Sequence, residues 1–418
     1  MPKMSQPTAN RAHSAPATAL SMTQVLLCGA LIVTLSMGIR HGFGLWLQPV
    51  TMDRSWTRET FAFAIAVQNL AWGLAGPLAG MVADRYGAFR VLVAGSLLYA
   101  LGLVGMALAT SGLAFTGSAG LLIGMAQSGV TNAVVYGVIG RNVAADKRSW
   151  AMGVTAAAGS FGQFLMVPVE SWLISAWGWQ NALFALGCLA LAIVPLAIGL
   201  REPKQAASTG FQQSVGAALR EAFGHRSFQW LTAGYFVCGF QVVFIGVHMP
   251  SYLKDHGLAP EVATVALALI GLFNVFGTYA AGSLGQRLPK RYILSAIYLL
   301  RSVVIGLFLW APLTPGSVYL FAAAMGLLWL STVPPTNALV AQIFGVQYLS
   351  MLGGFVFLSH QLGSFMGAWL GGRLYGIYGN YDVVWGIAVA LGLLAALINL
   401  PVREAAIARP ATPAAQAA

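Results

Sequence analysis

Charged residues are scarce in this chain of 418 residues. Asp, Glu, Lys and Arg together make up 8% of the sequence, whereas 58% of the residues are hydrophobic. Soluble domains carry about 25% charged residues, so there is too little charge here to cover a surface exposed to water. We therefore predict an all-α membrane protein for which the lipid bilayer is the natural solvent.

Acidic residues are fewer than basic ones, with 11 Asp and Glu against 22 Lys and Arg. A net charge of +11 can indicate a nucleic-acid-binding protein. The basic residues, however, lie in short clusters between apolar runs rather than along one stripe. This pattern is typical of the cytoplasmic loops of a membrane protein, and we predict no nucleic-acid partner.

Cysteine and enzyme motifs are also sparse. The three cysteines, Cys28, Cys188 and Cys238, all lie in apolar runs without metal-ligand spacing, which indicates packing rather than a disulfide framework or a metal site. The sequence contains no phosphate-binding loop, no paired-histidine metal motif and no Gly-x-Ser-x-Gly. We therefore expect neither an enzyme nor a protein with a metal or another cofactor.

Apolar runs long enough to span a bilayer, about 20 residues, recur twelve times. They cover residues 22–48, 61–83, 90–110, 116–140, 149–174, 180–200, 228–252, 261–284, 291–310, 316–344, 349–375 and 381–400. Pro334 and Pro335 predict a kink in the tenth run, because proline supplies no backbone donor. The predicted organisation is a disordered tail (1–21), two six-helix bundles (22–200 and 228–402) joined by a cytoplasmic linker (201–227), and a second disordered tail (403–418).

The placement of Lys and Arg predicts the orientation. With the N-terminus in the cytoplasm, 16 of the 22 basic residues fall in inside segments, 4 fall in outside segments, and Arg40 and Arg301 fall within spans. Basic residues favour cytoplasmic loops. We therefore expect both termini in the cytoplasm and a location in the inner membrane of a bacterium.

The two halves of the sequence look alike. Several residues at or near the ends of the predicted spans recur at an offset of 201 positions, which indicates a duplication. These pairs are Pro49 and Pro250, Arg90 and Arg291, and Gly178 and Gly379. Each proline of the first pair is predicted to end a helix. Two parallel repeats of six helices describe an alternating-access transporter with its substrate near the middle of the membrane.

The segment "GMVADRYGAFR" joins the second and third runs. Its Gly80, Asp84, Arg85, Gly87 and Arg90 resemble the signature of the major facilitator superfamily. Gly80 is expected to allow close approach of another helix, and Gly87 suits a turn with positive φ. The resemblance implies that this cluster latches the two halves together on the cytoplasmic side in the outward-open state.

Two further loops bear on the same resemblance. Arg148, Ala151 and Gly153 match the spacing of an Arg-x-x-Ala-x-Gly loop of that superfamily, although a simple positive-inside anchor explains the arginine as well. The second copy of the signature is degraded, since Gln286 stands where an acid is expected. We therefore expect a weaker latch in the C-terminal half.

Within the superfamily, the first run resembles the branch of monocarboxylate transporters and oxalate/formate antiporters. The residues that carry this likeness are Gly38, Phe43, Gly44 and Pro49, together with "GLFNVFGTYAAGSLGQR" in the eighth run. Members often carry an arginine one turn after an Asp or Asn in the eighth run. Here Asn274 occupies the first position and Thr278 replaces the arginine, so the carboxylate clamp of that branch does not transfer.

Arg40 and Arg301 are the two arginines predicted at membrane depth. Insertion of such a charge costs about 2.5–3.5 kcal/mol, and charged groups there usually face a cavity or a partner. The one acid near that depth is Glu170, for which an interfacial position exposed to water is predicted in preference to a role in proton coupling. An anionic substrate is the simplest partner for Arg40, with snorkelling or bonds to helix carbonyls as the alternative. For Arg301 a structural role is an equal alternative.

Histidines and amides complete the predicted substrate-binding set. Each histidine could carry a coupled proton, although a structural role is the simpler interpretation, and some amides serve as interhelical glue. The full set is Arg40, His41, Asn69, Asn132, Tyr136, Asn274, Thr278, Asn337, His360, Gln361 and Arg301.

The sequence thus predicts a secondary transporter for a small organic anion, a mono- or dicarboxylate, that works by rocker-switch alternating access. Its expected partners are that anion, protons or a counter-anion, and the lipid bilayer, and we expect a monomer. An exporter of drugs or amphipathic metabolites on the same fold is the alternative. A membrane sensor or receptor ranks last.

Overall fold

In the computed structural model, residues 20–143, 145–202, 215–345 and 349–407 are described, and helices are the regular secondary structure found in them. The helices are α1 (Met22–His41), α2 (Leu47–Arg54), α3 (Arg58–Tyr86), α4 (Ala88–Leu108), α5 (Gly112–Phe115), α6 (Ile123–Val130), α7 (Asn132–Asn142), α8 (Ala145–Leu191), α9 (Ile193–Ile198), α10 (Val215–Gly224), α11 (Arg226–Asp255), α12 (Pro260–Leu284), α13 (Lys290–Trp310), α14 (Pro315–Leu328), α15 (Val333–Phe344), α16 (Leu349–Tyr378) and α17 (Asp382–Asn399). The predicted all-α class is confirmed.

Ten stretches of the described chain are long and apolar enough to cross a membrane. One of them, Ala151–Ile198, is 48 residues long and is interrupted at Gly178, so it has the length of two spans. α16 has 30 residues and lies outside the ten. The structure therefore accommodates the twelve predicted spans, and the number twelve stays a prediction.

The backbone repeats itself at the offset seen in the sequence. Gly178 and Gly379 have φ values of 76° and 72°, and the helix breaks after Thr131 and Thr332 divide α6 from α7 and α14 from α15. Both pairs are 201 residues apart. Equivalent interruptions at equivalent positions support the duplication.

The prolines of the repeat do not end helices, contrary to the prediction. Pro49 lies in the first turn of α2, which runs on to Arg54, and Pro250 lies inside α11. Proline is tolerated in the first turn of a helix, because the backbone N–H that it lacks would have no intrahelical acceptor there. The same reason explains why α15 begins at Val333, directly before Pro334 and Pro335, and the predicted interruption of the tenth span is confirmed.

The segment between α3 and α4 forms the tight turn predicted for the signature motif. Gly87 has a φ of 91°, as expected, and Arg90 is exposed. Among the described residues, no atom of another helix lies within 4 Å of the position that a Cβ on Gly80 would take, and the close helix approach expected there stays a prediction. The side chains of Asp84 and Arg85 lie outside the described set, and their latch stays a prediction.

Each half of the chain has its own buried hydrophobic cluster, and two helix pairs make the most extensive contacts between the halves. Most of one cluster comes from residues before 200 and most of the other from residues after 220. α3 packs against α16, and α8 packs against α12. At these crossings Gly73 lies against Gln361 and Gly271 against Gln163. Glycine allows the close approach because a Cβ would meet the opposing side chain.

The predicted linker and tails are described in part. α10 lies within the linker, and residues 203–214 lie outside the described chain. Beyond α17, the Arg403 N–H donates to Ser227 Oγ at 2.9 Å and the Ile407 N–H donates to the Ile343 carbonyl at 3.0 Å. The start of the predicted C-terminal tail is therefore attached to the bundle. Residues 1–19 and 408–418 are not described.

Replacement of Gly178 by alanine tests the interruption of α8. Its φ of 76° and ψ of 160° suit glycine alone, so Gly178→Ala should cost about 1–3 kcal/mol of stability and lower the thermal midpoint followed by tryptophan fluorescence in detergent. Gly376→Ala is the matched control, because Gly376 is helical with open space beside it. An equal effect of both variants would contradict the assignment.

Candidate functional site

The site is built on the end of α1, where the helix axis is interrupted. α1 ends at His41, and a 3-10 segment, Phe43–Trp46, connects it to α2. Gly42 and Gly44 make this possible. A Cβ on Gly42 would collide with the Glu170 carboxylate, and one on Gly44 would collide with the Gly246 carbonyl of α11. The break therefore places Arg40 and His41 where the two halves of the chain meet.

Arg40 is half-buried and has no acidic partner among the described residues. Its Nη2 donates to Asn69 Oδ1 at 2.6 Å, and its Cζ lies 4.7 Å from the centre of the Trp72 ring. Its Nε is buried without a hydrogen-bond partner. Asn69 Nδ2 donates to the Ile65 carbonyl at 2.8 Å, which fixes the amide with its oxygen towards Arg40. The guanidinium is thus oriented by neutral groups, and its positive charge is left uncompensated.

His41 lines a small cavity beside Arg40. Its Nδ1 lies 2.6 Å from the Met37 carbonyl and donates to it, which leaves Nε2 as an acceptor in the neutral ring. The cavity has a volume of about 30 Å³, and its walls come from both halves, including Gln163 of α8 and Trp329. That volume holds little more than one water molecule, so this conformation is closed around the site.

Hydrogen bonds connect this site to α16 in the second half. Gln361 Nε2 donates to the backbone carbonyl of Asn69 at 3.1 Å, and His360 Nδ1 lies 3.0 Å from Gln361 Oε1. Gln361 is fully buried. The structure thus brings together five members of the predicted set, namely Arg40, His41, Asn69, His360 and Gln361.

Asn274 and Thr278 hold helices together. Asn274 Nδ2 donates to Ser160 Oγ at 2.9 Å, and its Oδ1 accepts from the Leu330 N–H at 2.9 Å and from Thr278 Oγ1 at 3.1 Å. These bonds connect α12 to α8 and to the break between α14 and α15. The amide oxygen therefore already has two donors in this conformation.

Arg301 lies away from the cavity and is fully buried. Its Nε and Nη2 donate to the Leu328 carbonyl at 3.0 and 2.7 Å, Nη2 also donates to the Trp329 carbonyl, and Nη1 lies 3.4 Å from Gln241 Oε1. These carbonyls are left without helical donors where α14 ends. Arg301 therefore takes the structural alternative of the sequence analysis in this conformation.

The remaining predicted residues lie apart from Arg40. Asn132 begins α7 and has a buried Oδ1 without a partner, and Tyr136 is half-buried one turn later. Asn337 is exposed and donates to the Val333 carbonyl at 3.2 Å. No hydrogen bond between described residues connects these three side chains to Arg40.

Sequence reasoning missed a polar cluster at the end of the bundle where α3 begins, called here the Arg58 end. Arg58 binds Asp255 through both carboxylate oxygens, with each N–O distance 2.6 Å, and donates to Tyr381 Oη at 3.0 Å. Tyr381 Oη lies 3.3 Å from Nδ1 of the buried His248. The cluster joins α3 of one half to α11 of the other. A basic and an acidic residue at the ends of spans are typical of the membrane interface, so little in the sequence indicates this cluster.

The burial of Glu170 also differs from the prediction. It is 0% exposed, whereas the sequence analysis predicted an acid in contact with water. Trp46 Nε1 donates to its Oε2 at 3.3 Å, and its Oε1 is buried without a partner. The expected exposure of Glu170 to water is therefore wrong, because Gly42 and Trp46 lie against its carboxylate.

Comparison with known proteins agrees with this architecture. The profile described as Major Facilitator Superfamily matches residues 26–345. This chain belongs to the Major Facilitator Superfamily. A solved structure, a bacterial homologue of the human lysosomal transporter Spinster in an inward-facing and unoccupied conformation, has a TM-score of 0.68 at 16% identity, covering 91% of this chain and 98% of that one. It shows the same fold.

Curated relatives extend the comparison to the branch. The chain is 24% identical over 383 residues to monocarboxylate transporter 13 of Bos taurus, covering 90% of this chain and 88% of that protein. It is 23% identical over 364 residues to the oxalate:formate antiporter of Oxalobacter formigenes, covering 84% of each chain. The predicted family and branch are confirmed.

Replacement of Arg301 by methionine tests its structural role. The change leaves the Leu328 and Trp329 carbonyls without these donors, at a cost of about 1–3 kcal/mol for each buried group. We expect a clearly lower thermal midpoint for Arg301→Met than for the matched variant Arg40→Met, whose guanidinium has one amide partner. If Arg301→Met unfolds like the unmodified protein, Arg301 does not stabilise the helix break.

Removal of Arg58 tests the cluster at the Arg58 end. A hydrogen bond to a charged group contributes about 1.5–3 kcal/mol, so Arg58→Ala should favour opening there by at least about tenfold. The readout is maleimide labelling of Ser251→Cys, a buried position one turn before Asp255, in a background lacking the native cysteines. The control is Arg373→Ala, whose pair with Glu59 is more exposed and should matter little. Equal labelling of both variants would show that the pair of Arg58 and Asp255 does not hold this end of the bundle closed.

Proposed function

We propose that this transporter moves a small organic anion, a mono- or dicarboxylate, across the cytoplasmic membrane by rocker-switch alternating access. The observation that carries the proposal is the Arg40 guanidinium, which lies where the two halves meet and has no acidic partner in the part of the chain that the structure describes. The transport is driven by proton symport or by exchange for another anion.

The chemistry of Arg40 favours a carboxylate. A guanidinium binds a carboxylate through parallel donors, and Asn69 and Trp72 hold this one in a fixed orientation by contacts that bring no negative charge. An anion would supply the missing charge and accept from the Nε that is without a partner. A neutral or cationic substrate would leave the cost of the buried charge unchanged.

The small cavity around Arg40 must enlarge during transport. About 30 Å³ is too little for an organic acid, so binding requires the halves to separate on one side of the site. The bidentate pair of Arg58 and Asp255 closes the Arg58 end. Charge placement assigns that end to the outside. The conformation is then closed towards the outside, and its Arg58 cluster acts as the outer gate.

The related proteins support the substrate class. Monocarboxylate and oxalate:formate transport are stated for relatives that cover most of this chain. Their identity of 23–24% leaves room for a different binding group. Thr278 stands where many members of the branch have an arginine, and Arg40 takes over the carboxylate in our proposal, assisted by His41, Asn69, His360 and Gln361.

Uptake into liposomes tests this function. Wild-type protein should show saturable uptake of at least one labelled carboxylate from a panel of mono- and dicarboxylates. Arg40→Ala should lower uptake at least about tenfold, since a charge-assisted hydrogen bond is worth about 1.5–3 kcal/mol, and Arg40→Lys should restore a part of it.

The matched control for this experiment is Arg373→Ala, which removes an arginine that is about half exposed at the Arg58 end and should leave uptake intact. Carboxylate uptake that survives Arg40→Ala would exclude Arg40 as the anion-binding group. Export of a cationic dye, without transport of any carboxylate, would favour the drug or metabolite exporter instead.

A further inference from the structure

Glu170 is an acid in an environment that suits its neutral form. Its side chain is fully buried, one oxygen has no hydrogen-bond partner, and the other accepts a 3.3 Å bond from Trp46, which is also 0% exposed. The carboxylate lies against Gly42, where no Cβ would fit. No basic group of the described chain lies within ion-pair distance of it.

The elements packed against this part of α8 offer four other titratable groups. Arg40 and His41 on α1 are bonded to an amide and to a helix carbonyl, and Tyr99 on α4 donates to a carbonyl of α1 at 3.2 Å. Glu261 at the start of α12 is exposed. None of these groups forms an ion pair or a hydrogen bond with Glu170. A carboxylate buried without such compensation is neutralised by a proton, because desolvation of the isolated ion costs far more.

The cover over Glu170 belongs to the interface between the halves. The neighbouring Ser171 accepts a 2.9 Å hydrogen bond from Thr264 of α12, and Gly44, two residues before Trp46, abuts the Gly246 carbonyl of α11. Both contacts lie on the side of the site towards the Arg58 end. Separation of the halves there removes these contacts and lets water approach Glu170, where its ionised form is stable.

We propose that Glu170 is a proton-binding site of this transporter, occupied while the Arg58 end is closed and exchanging its proton with water when that end opens. The inference rests on the alternating access proposed above and adds the ion to which it is coupled. The closed state binds this proton more tightly than the open state. Acid pH therefore favours closure, and rising pH favours opening.

Two other titratable groups at the Arg58 end predict the opposite sign. Protonation of Asp255 would break its pair with Arg58, and protonation of His248 Nδ1 would remove the acceptor facing Tyr381. Either change would open the gate at acid pH. The direction of the pH response therefore separates Glu170 from the gate residues.

The test is the labelling rate of Ser251→Cys in liposomes, with the native cysteines replaced, between about pH 6 and pH 8. Rates are divided by that of an exposed cysteine placed in the same background, because thiolate reactivity itself rises with pH. The normalised rate should rise with pH by up to about tenfold per unit, the limit for one linked proton. Glu170→Gln, which mimics the protonated acid, should abolish this rise, and the matched variant Glu261→Gln should retain it.

The outcomes separate failure of this inference from failure of the proposed mechanism. If Arg58→Ala raises labelling but Glu170→Gln leaves the pH response unchanged, Glu170 is not the proton site. If labelling responds to neither Arg58→Ala nor pH, alternating access at this end is wrong. Infrared spectroscopy is the second readout. Wild-type protein at neutral pH should show a protonated carboxyl band that Glu170→Gln lacks, and its absence would overturn the inference in any case.

Discussion

The fold depends on how it compensates two positive charges placed inside an apolar bundle. Arg301 is stabilised internally, because the broken helix at Leu328 and Trp329 offers carbonyls that have no other donor. Arg40 receives one amide oxygen and an aromatic face, neither of which carries a full negative charge. One arginine therefore completes the structure, and the other leaves it electrostatically incomplete. Our proposal that Arg40 binds the substrate anion, and that Arg301 does not, rests on that difference.

The sequence was sufficient to predict the helices and to single out Arg40 and Arg301 as charges within apolar runs, because hydrophobic run length and isolated charges are local properties. It was not sufficient to predict partners. The carbonyls that hold Arg301 lie 27 and 28 residues away, and the amide nitrogen that Asn274 accepts from lies 56 residues away. Glu170 was misplaced because composition gives the end of an apolar run, not the helices that cover it. Such partners are fixed only by the packing of distant helices.

The two helix crossings between the halves, α3 with α16 and α12 with α8, are equivalent in the repeat but differ in which helix contributes the amide side chain. Gly73 on α3 faces Gln361 on α16, and the equivalent positions, 201 residues away in each case, are Asn274 on α12 and Ser160 on α8. In one crossing the long amide comes from α16, and in the other it comes from α12. Equivalent positions are in contact at both crossings, but the first crossing connects to the Arg40 site and the second to the helix break at Leu330. The repeat therefore has a contact at both equivalent positions, and the two contacts connect to different parts of the structure.

A related difference between the halves concerns Glu170, the one fully buried acid among the described residues. Glu170 fills the space left by Gly42, whereas its repeat equivalent is Gly371, and that space is filled from the opposite helix by the ring of His248. His248 donates to the Ala368 carbonyl and faces Tyr381, so both of its ring nitrogens have partners within the cluster at the Arg58 end. Glu170 has no comparable partner. Positions 170 and 371 are equivalent in the repeat, so the difference between them lies in their side chains. In our proposal, a proton neutralises the Glu170 carboxylate, for which the described residues provide no basic partner.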